Sequence, residues 1–249
     1  MELTNEQLEI FDTKGYLILR DFVSERECDA IRNIAKLDLE NQVEPVETES
    51  EYNDKDLGTQ QTVRRLRQVY SRDIIFREWM EDKNIRPILK QIFGETPVIT
   101  LAHHNSIMTK MPESSTQTSW HQDIRYWNFS NDKLVSVWLA LESENQENGV
   151  LEFIPGSHKM QFSRDQFDEK DYFLSDYEPN QKLISTKESS SLNKGDVVLF
   201  HCKLLHRANK NSTTKPKISF VYTVRAKSNP PIADTRSSSY PEIILEEES

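Results

Sequence analysis

Two residue types that bind metals stand two positions apart in the segment Trp120-His121-Gln122-Asp123. On a strand, side chains at positions i and i+2 point to the same face, so His121 and Asp123 would offer an imidazole and a carboxylate to one ion. A third ligand must come from elsewhere in the chain, and His206 is a candidate. Two histidines and one carboxylate leave open positions on a metal and suit a non-haem Fe(II) site that binds O2. By itself, the spacing of His121 and Asp123 is also compatible with a surface histidine that lies beside an aspartate and binds no metal.

The remaining histidines have competing interpretations. His201 rivals His206 as the distal ligand, because it lies at the end of a predicted strand. His158 follows a Pro-Gly-Ser turn, and we interpret it as stabilising that turn. His103 and His104 are adjacent on a predicted strand, so only one of them can face inward. That inward histidine either lines a pocket or makes a hydrogen bond in the core.

The composition limits the classes of partner. Of the 249 residues, 36% are hydrophobic and 29% are charged, which indicates a soluble globular protein. The net charge of −10 argues against a nucleic-acid partner. No apolar run approaches the roughly 20 residues of a membrane span, and the N-terminus lacks the pattern of a secretory signal, so we expect a cytoplasmic location. Two cysteines are too few for a disulfide framework and are expected to be reduced. The sequence does not indicate an oligomeric state.

Helices are predicted in the first part of the chain. Thr4 with Gln7, and Ser24 with Glu27, have the spacing of helix-capping boxes. Gly15 should end the first helix, and a short strand should follow it. Apolar spacing predicts a further helix after a polar loop. The predicted helices and loop are, in order, helix 4–12, helix 24–40, loop 41–62 and helix 73–93.

Short β-rich runs separated by turn residues follow Gly94 and predict a β-sandwich or jelly roll. In 134–141, alternation of apolar with other residues predicts a half-buried strand. The insertion 160–182 is either a surface loop or a lid over a site, and the tail 229–249 either packs as irregular chain or frays. We expect one domain over residues 1–249. The predicted strands lie in 97–109, 134–141, 149–154, 196–202 and 218–225.

Three motif segments occur in a specific order and spacing. Lys110-Met111-Pro112 leads into the His121 segment, Glu147-Asn148-Gly149 leads into Pro155-Gly156-Ser157-His158, and Gly195-Asp196 begins a strand that precedes His206-Arg207-Ala208-Asn209. Together they resemble the phytanoyl-CoA dioxygenase-like family of Fe(II)/2-oxoglutarate-dependent oxygenases. The resemblance covers about residues 5–225. It implies a mainly β fold, a double-stranded β-helix (jelly roll, cupin-like) with flanking N-terminal helices.

The resemblance also implies ligands for the metal and the co-substrate. It assigns Fe(II) to the triad of His121, Asp123 and His206. It assigns the far carboxylate of 2-oxoglutarate to Lys217, assisted by the hydroxyl of Ser219. The family usually has arginine at this position, and lysine lacks its two-pronged fork, so Lys215 and Arg225 remain nearby alternatives.

The implied activity is a 2-oxoglutarate-dependent dioxygenase that uses O2 as the second co-substrate. The aspartate ligand argues against halogenation and leaves hydroxylation or desaturation of a small organic substrate. In the family the segment after the strand that carries His121 and Asp123 lies at the pocket mouth, where Arg125 either pairs with a substrate anion or is a loop arginine. Trp127 either forms a wall of the pocket or packs against neighbouring side chains. Asn105 and Met108, like the neighbouring histidines, either line the pocket or belong to the core. The alternatives are a cupin-like metalloenzyme that does not use 2-oxoglutarate and a jelly-roll binding module.

Overall fold

The helices lie mainly before the sheets in the chain and cover one face of the larger sheet. The computed structural model describes residues 1–53 and 62–246. Both predicted capping boxes are present, at Thr4 and at Ser24, and Gly15 ends the first helix in a left-handed conformation with φ 82°. The described α-helices are α1 Asn5–Lys14, α2 Glu25–Glu40, α3 Glu49–Asn53, α4 Ile74–Met80, α5 Ile85–Phe93 and α6 Glu178–Ile184. No helix in this part of the chain is long and apolar enough to cross a membrane.

Two of the predicted segments differ from the structure. The single helix predicted over 73–93 is two helices, because the Asp82 side chain accepts hydrogen bonds from the N–H groups of Asn84 and Ile85 and starts α5 anew. The segment 41–62, predicted to be a loop, contains α3 and a strand, with residues 54–61 outside the described part.

The strands form two antiparallel sheets. The larger sheet has the order β1-β10-β7-β12-β5-β3-β2, with β4 between β12 and β13, and the smaller has the order β6-β11-β8-β9. This arrangement confirms the predicted double-stranded β-helix. The strands are β1 Tyr16–Leu19, β2 Val46–Thr48, β3 Val63–Arg67, β4 Pro97–Thr100, β5 Ser106–Lys110, β6 Thr118–His121, β7 Leu134–Ala140, β8 Leu151–Phe153, β9 Glu188–Ser189, β10 Val197–His201, β11 His206–Ala208, β12 Lys217–Ala226 and β13 Glu242–Ile244.

The central strand β7 is buried on both faces, so its prediction as a half-buried strand is wrong. Val135, Val137 and Leu139 face the helices and share a core with α2, α4 and α5. Trp138 and Ala140 face the smaller sheet and contact β8 and β11. Because the helices cover one face of β7 and the smaller sheet covers the other, side chains on both faces are buried and neither face is exposed to solvent.

The C-terminal tail is described through residue 246. It forms a 3₁₀ turn at Arg236–Ser238, and β13 pairs with β4 of the larger sheet. The described part of the tail therefore packs on the domain, as one alternative predicted, but it is not wholly irregular chain as that alternative expected. Cys28 and Cys202 are buried and unpaired, as predicted.

Candidate active site

The three predicted metal ligands converge where the smaller sheet ends. His121 is the last residue of β6, His206 is the first of β11, and the two are register partners. Asp123 starts a 3₁₀ turn and does not continue the strand, so the strand argument is wrong at that position. Gln122 is nevertheless extended, with φ −110° and ψ 134°, and Asp123 reaches the same side as His121. One ligand atom from each of the three lies within 4.8 Å of the others.

Backbone carbonyls orient both imidazoles. Nδ1 of His121 lies 2.8 Å from the carbonyl oxygen of Ser119, and Nδ1 of His206 lies 2.9 Å from that of Leu204. Because a carbonyl only accepts, each Nδ1 must carry the proton, and each Nε2 keeps a free lone pair. Both Nε2 atoms lie 3.6 Å from Oδ1 of Asp123. The two nitrogens and this oxygen thus face one another, as ligands of a single ion do.

Burial sets the protonation of this cluster. It lowers the pKa of His121 to about 3, helped by the nearby charge of His206, and it also lowers the pKa of His206. Burial on its own raises the pKa of Asp123, but the electrostatic attraction of the neighbouring His104 and His206 outweighs it and holds that pKa well below its usual range. Neutral imidazoles and an ionised carboxylate are the forms that bind a metal.

The lysine predicted to bind 2-oxoglutarate, Lys217, belongs to a buried ion pair. Lys217 is the first residue of β12 and is 2% exposed. Its Nζ donates to Oε2 of Glu144 at 3.0 Å and to the carbonyl oxygen of Gly149 at 2.7 Å. The other oxygen of Glu144 accepts from the Ser219 hydroxyl at 2.6 Å and from Trp138 Nε1 at 3.0 Å. Sequence analysis missed Glu144, because nothing in the sequence distinguishes it from a solvent-exposed acid.

One cavity of about 660 Å³ connects the triad with this lysine. Its lining includes the triad of His121, Asp123 and His206 and also Lys110 and Lys217. The two alternatives, Lys215 in the loop before β12 and Arg225 on β12, do not reach it. Lys215 is exposed and outside the lining, and Arg225 is paired with Glu242 at 2.6 Å, also outside the lining.

Comparison with known proteins identifies the family. A family model described as phytanoyl-CoA dioxygenase (PhyH) matches residues 11–219. The chain belongs to the phytanoyl-CoA dioxygenase family. The human protein called phytanoyl-CoA dioxygenase, peroxisomal, is 26% identical over 230 residues, which cover 85% of this chain and 65% of that protein. The chain therefore spans less than two thirds of the length of the mammalian relatives that match it first.

Two further relatives show how widely the family fold is used. The ectoine dioxygenase of Halomonas elongata is 24% identical over 246 residues, covering 90% of this chain and 70% of that protein. The crystal structure of EctD from S. alaskensis with 2-oxoglutarate and 5-hydroxyectoine superposes with a TM-score of 0.74 at 20% identity, covering 92% of this chain and 78% of that one. This likeness shows that the fold is shared.

In this phytanoyl-CoA dioxygenase family member, His103 and His104 both line the cavity, so the expectation that only one faces inward is wrong. They lie in the turn between β4 and β5, where His104 has a φ of 46° and strand alternation does not apply. Nε2 of His103 lies 2.8 Å from the Ser237 hydroxyl. Nε2 of His104 lies 2.9 Å from Oδ1 of Asp123.

The other two histidines lie apart from the triad. His158 Nε2 lies 3.0 Å from the carbonyl oxygen of Asp12, which joins the Pro-Gly-Ser turn to α1, as the turn-stabilising interpretation expects. A Cβ at Gly15 would come within 2.4 Å of the His158 ring, so this contact needs glycine. The His201 ring lies 5.2 Å from that of His158, and within the described chain the metal-competent group contains His206 and not His201.

The predicted substrate residues all line the cavity of this family member. Arg125 donates to the carbonyl oxygen of Asp171 at 3.2 Å, and its guanidinium lies 3.9 Å from the ring centroid of Tyr172. Trp127 stacks on the His103 ring with centroids 5.1 Å apart. Oδ1 of Asn105 accepts from the backbone N–H of Tyr70 at 2.9 Å, so only its amide nitrogen remains for a ligand.

The insertion 160–182 folds over the metal site. Its aromatic side chains Phe162, Phe167 and Phe173 form a cluster with Trp120, the residue before the first ligand. The ring of Tyr172 lies 6.2 Å from that of His121. Its hydroxyl lies 2.6 Å from the hydroxyl of Tyr52 in α3. The insertion thus contributes Asp168, Lys170 and Tyr172 to the lining of the cavity, and its role as a lid stays a prediction.

Proposed function

We propose that the chain is an Fe(II)- and 2-oxoglutarate-dependent dioxygenase that hydroxylates a small organic molecule with O2 and releases succinate and CO2. The observation that carries this proposal is the single cavity that joins a two-histidine, one-carboxylate group to a buried basic end. A binding module does not need the metal ligands. A metalloenzyme that works without 2-oxoglutarate does not need buried lysines on the same cavity.

The donor set fits Fe(II). His121 and His206 present neutral Nε2 atoms, and Asp123 presents Oδ1, while its Oδ2 is held by the Ser136 hydroxyl at 3.0 Å. Such a face of three ligands leaves positions for 2-oxoglutarate and O2. When bound, the iron supplies the oxidising chemistry that couples decarboxylation of 2-oxoglutarate to oxidation of the substrate.

The chain's own residues orient and enclose the reactants. The carbonyls of Ser119 and Leu204 hold the imidazoles in one tautomer, which fixes the direction of their lone pairs. We propose Lys217 for the far carboxylate of 2-oxoglutarate, because it lines the cavity. We propose that Ser219 assists it from behind the lining, through the Glu144 carboxylate that both residues contact. Tyr172 and its insertion cover the metal ligands and would exclude water.

The substrate we propose is a small anion. We assign Arg125 as the residue whose positive charge binds this anion. Trp127 forms a wall of the substrate pocket, and the side-chain amide of Asn105 donates a hydrogen bond to the substrate. Arg67 and Arg236 also line the cavity, and within the described chain neither they nor Arg125 has a carboxylate partner. In a chain with a net charge of −10, these unmatched arginines favour a negatively charged ligand at this place.

The test is a reaction with Fe(II), O2, 2-oxoglutarate and a panel of small organic acids. Succinate formation that depends on one of these acids supports the proposal, and a product with one added oxygen atom identifies hydroxylation. A product that has lost two hydrogens instead identifies desaturation. Asp123→Ala should abolish the signal as a matched control. Protein that binds Fe(II) but neither binds nor consumes 2-oxoglutarate would exclude this function.

We also propose that residues 1–249 act as one domain in the cytoplasm. The support for one domain is that β1 and β13, near opposite ends of the chain, pair with strands of the same sheet. A single cooperative unfolding transition would agree with it, and two separate transitions would contradict it. Cell fractionation tests the location, and recovery in an organelle fraction would exclude the cytoplasm.

A further inference from the structure

One buried histidine on the cavity keeps a hydrogen-bond donor that no acceptor in the described chain takes up. His103 is 5% exposed and lines the cavity that also contains the metal ligands. Its ring stacks on Trp127, with centroids 5.1 Å apart, and meets Phe129 edge-on at 5.9 Å. These two aromatic rings hold the imidazole in one orientation, so the direction of its two nitrogens is set before any ligand binds.

A serine of the C-terminal tail determines which of the two nitrogens carries the proton. Ser237 is fully buried, and its hydroxyl oxygen accepts from the backbone N–H of Asn128 at 2.8 Å and lies 2.8 Å from Nε2 of His103. Within residues 1–53 and 62–246, this hydroxyl has no acceptor other than that Nε2. Because a buried hydroxyl without an acceptor is unfavourable, the hydroxyl donates to Nε2, and the neutral imidazole carries its own proton on Nδ1.

The Nδ1–H group of His103 is available to a ligand. Burial first, and then the nearby His104 and Arg236, lower the pKa of His103 to about 3, so the ring is neutral at pH 7 and has this one N–H. In the described part of the chain Nδ1 has no hydrogen-bond partner, and the atom remains accessible. A donor without a partner on a cavity wall is a place for an acceptor atom of a ligand.

An arginine beside Ser237 brings a positive charge close to this donor. Arg236 precedes Ser237 in a 3₁₀ turn, lines the cavity and has no carboxylate partner among the described residues. The tail that carries both residues is fixed to the larger sheet, because β13 pairs with β4 and Arg225 pairs with Glu242 at 2.6 Å. The backbone position of Arg236 is therefore set by the fold, and its charge and the imidazole N–H are offered together.

Resting on the proposed function, we propose that the substrate has two acidic groups and that Nδ1–H of His103 and the guanidinium of Arg236 bind the second. Arg125, which we assign to the first, is held against the insertion by the carbonyl oxygen of Asp171 at 3.2 Å and by the ring of Tyr172. The cavity thus has two anion-binding groups, one beside the insertion and one beside the tail. A carboxylate accepts from both the imidazole and the guanidinium, so a diacid is selected over a monoacid of the same length.

The experiment measures binding by calorimetry under anaerobic conditions, to protein loaded with Mn(II) and saturated with 2-oxoglutarate, so that no turnover occurs and the co-substrate place is filled. The ligands are the linear dicarboxylates from glutarate to suberate and the monocarboxylates of the same lengths, from pentanoate to octanoate. At the best length, the diacid should bind about tenfold more tightly than its monoacid, or better, as a hydrogen bond to a charged group provides.

Three variants test the two residues that we assign to the second acidic group. His103→Phe, which keeps the ring stack on Trp127, and Arg236→Gln should each remove most of the preference for the diacid. His103→Asn should retain part of it, because the amide N–H of asparagine can take the place of Nδ1–H. The exposed arginine of α2 provides the matched control, Arg26→Gln, which should bind every acid as the wild type does.

A second readout follows the proton of the imidazole. In protein loaded with Zn(II), long-range ¹H–¹⁵N spectra should show His103 protonated on Nδ1. Ser237→Ala should shift the proton towards Nε2 and weaken the preference for the diacid at the same time. A histidine with only a structural role would leave the ratio of diacid to monoacid affinity unchanged.

The outcomes separate this proposal from the proposed function. Equal affinity for diacid and monoacid at every length in the wild type would overturn the second acidic group, as would a preference that survives both His103→Phe and Arg236→Gln. Wild-type His103 protonated on Nε2 would overturn its role as the donor. Arg236 is exposed, so Arg236→Gln still tests the proposal if His103→Phe does not fold. Wild-type protein that takes up Mn(II) but no 2-oxoglutarate would instead overturn the proposed function.

Discussion

His121 and His206 are direct cross-strand partners, with ring centroids 4.2 Å apart. One ends β6 and the other begins β11, so the pairing of these two short strands sets the distance between the two imidazoles. Asp123 reaches the same place from the 3₁₀ turn that follows β6. A metal ion here would be held by two neighbouring strands of the smaller sheet and would join them.

The first prediction concerns metal content. His121→Ala and His206→Ala should each abolish the binding of one Fe(II) per chain, because each removes one of three ligands. His201→Ala should keep full binding, since His201 lies outside the group. Metal analysis after anaerobic reconstitution measures this. Full occupancy in His206→Ala, or its loss in His201→Ala, would show that the distal ligand is assigned wrongly.

The second prediction concerns the ion pair at the basic end. Lys217→Ala should destabilise the fold by about 3–5 kcal/mol, because it leaves the Glu144 carboxylate buried without its cation. It should also raise the 2-oxoglutarate requirement. Denaturant unfolding measures the first effect. Adding Glu144→Gln should restore much of the stability, and Lys215→Ala should change neither property. Full stability in Lys217→Ala would contradict the importance of this pair.

The third prediction concerns pH. Lys110 and Lys217 both line the cavity, and we expect the far carboxylate of 2-oxoglutarate to interact with the ammonium form of Lys110. Affinity for 2-oxoglutarate should therefore be complete below the pKa of Lys110 and should fall as the pH rises through it. Burial holds this pKa well below the usual 10.5, so the loss should begin where surface lysines are still charged. The charged groups that face it are Arg64 from β3, Lys217 from β12 and Glu49 from α3.

Calorimetric titration over a series of alkaline buffers measures this dependence. Pyruvate should not show it, because it has no far carboxylate, and Lys110→Met should remove it for 2-oxoglutarate. The same alkaline loss in Lys110→Met would show that another group titrates.

The fourth prediction concerns the pocket mouth. Arg125→Ala should weaken binding of an anionic substrate more than binding of 2-oxoglutarate, and we expect about a tenfold rise in KM for the loss of one partly exposed charge contact. Arg164→Ala is the matched control, because Arg164 is an exposed arginine of the insertion that does not line the cavity. Substrate kinetics that are equal in the two variants would exclude Arg125 from substrate binding.

The fifth prediction concerns movement of the insertion. Tyr172 of the insertion lies against Arg125 and near His121, so a substrate bound between these two residues would meet it. We expect residues 160–182 to exchange amide hydrogens faster than the strands without substrate and more slowly once substrate is bound. Hydrogen exchange by mass spectrometry measures both states. If bound substrate leaves amide exchange in the insertion unchanged, the insertion does not act as a lid.

The sequence predicts that His121 and Asp123 lie on one side, because they are two positions apart and the backbone between them is extended, and the structure brings them together with His206. The sequence does not predict which buried charged side chains pair with each other. Glu144 reaches Lys217 from 73 positions away, and such a pair has no local signal. The error in β7 has a related cause, because Ser136 resembles a solvent-facing residue but is buried and donates to Asp123. Polar residues that serve a site thus mimic a surface pattern.

The rim of the cavity is built from parts of the chain that lie outside the central strands. Tyr52 comes from α3, Tyr172 from the insertion, and Arg236 and Tyr240 from the C-terminal tail. Mutations in these parts leave the hydrogen bonds that orient the metal ligands intact. During evolution, substitutions in these parts can therefore change the substrate while the metal site and its reaction stay the same. Libraries confined to the rim are therefore the place to begin if this protein is to be engineered for a new substrate.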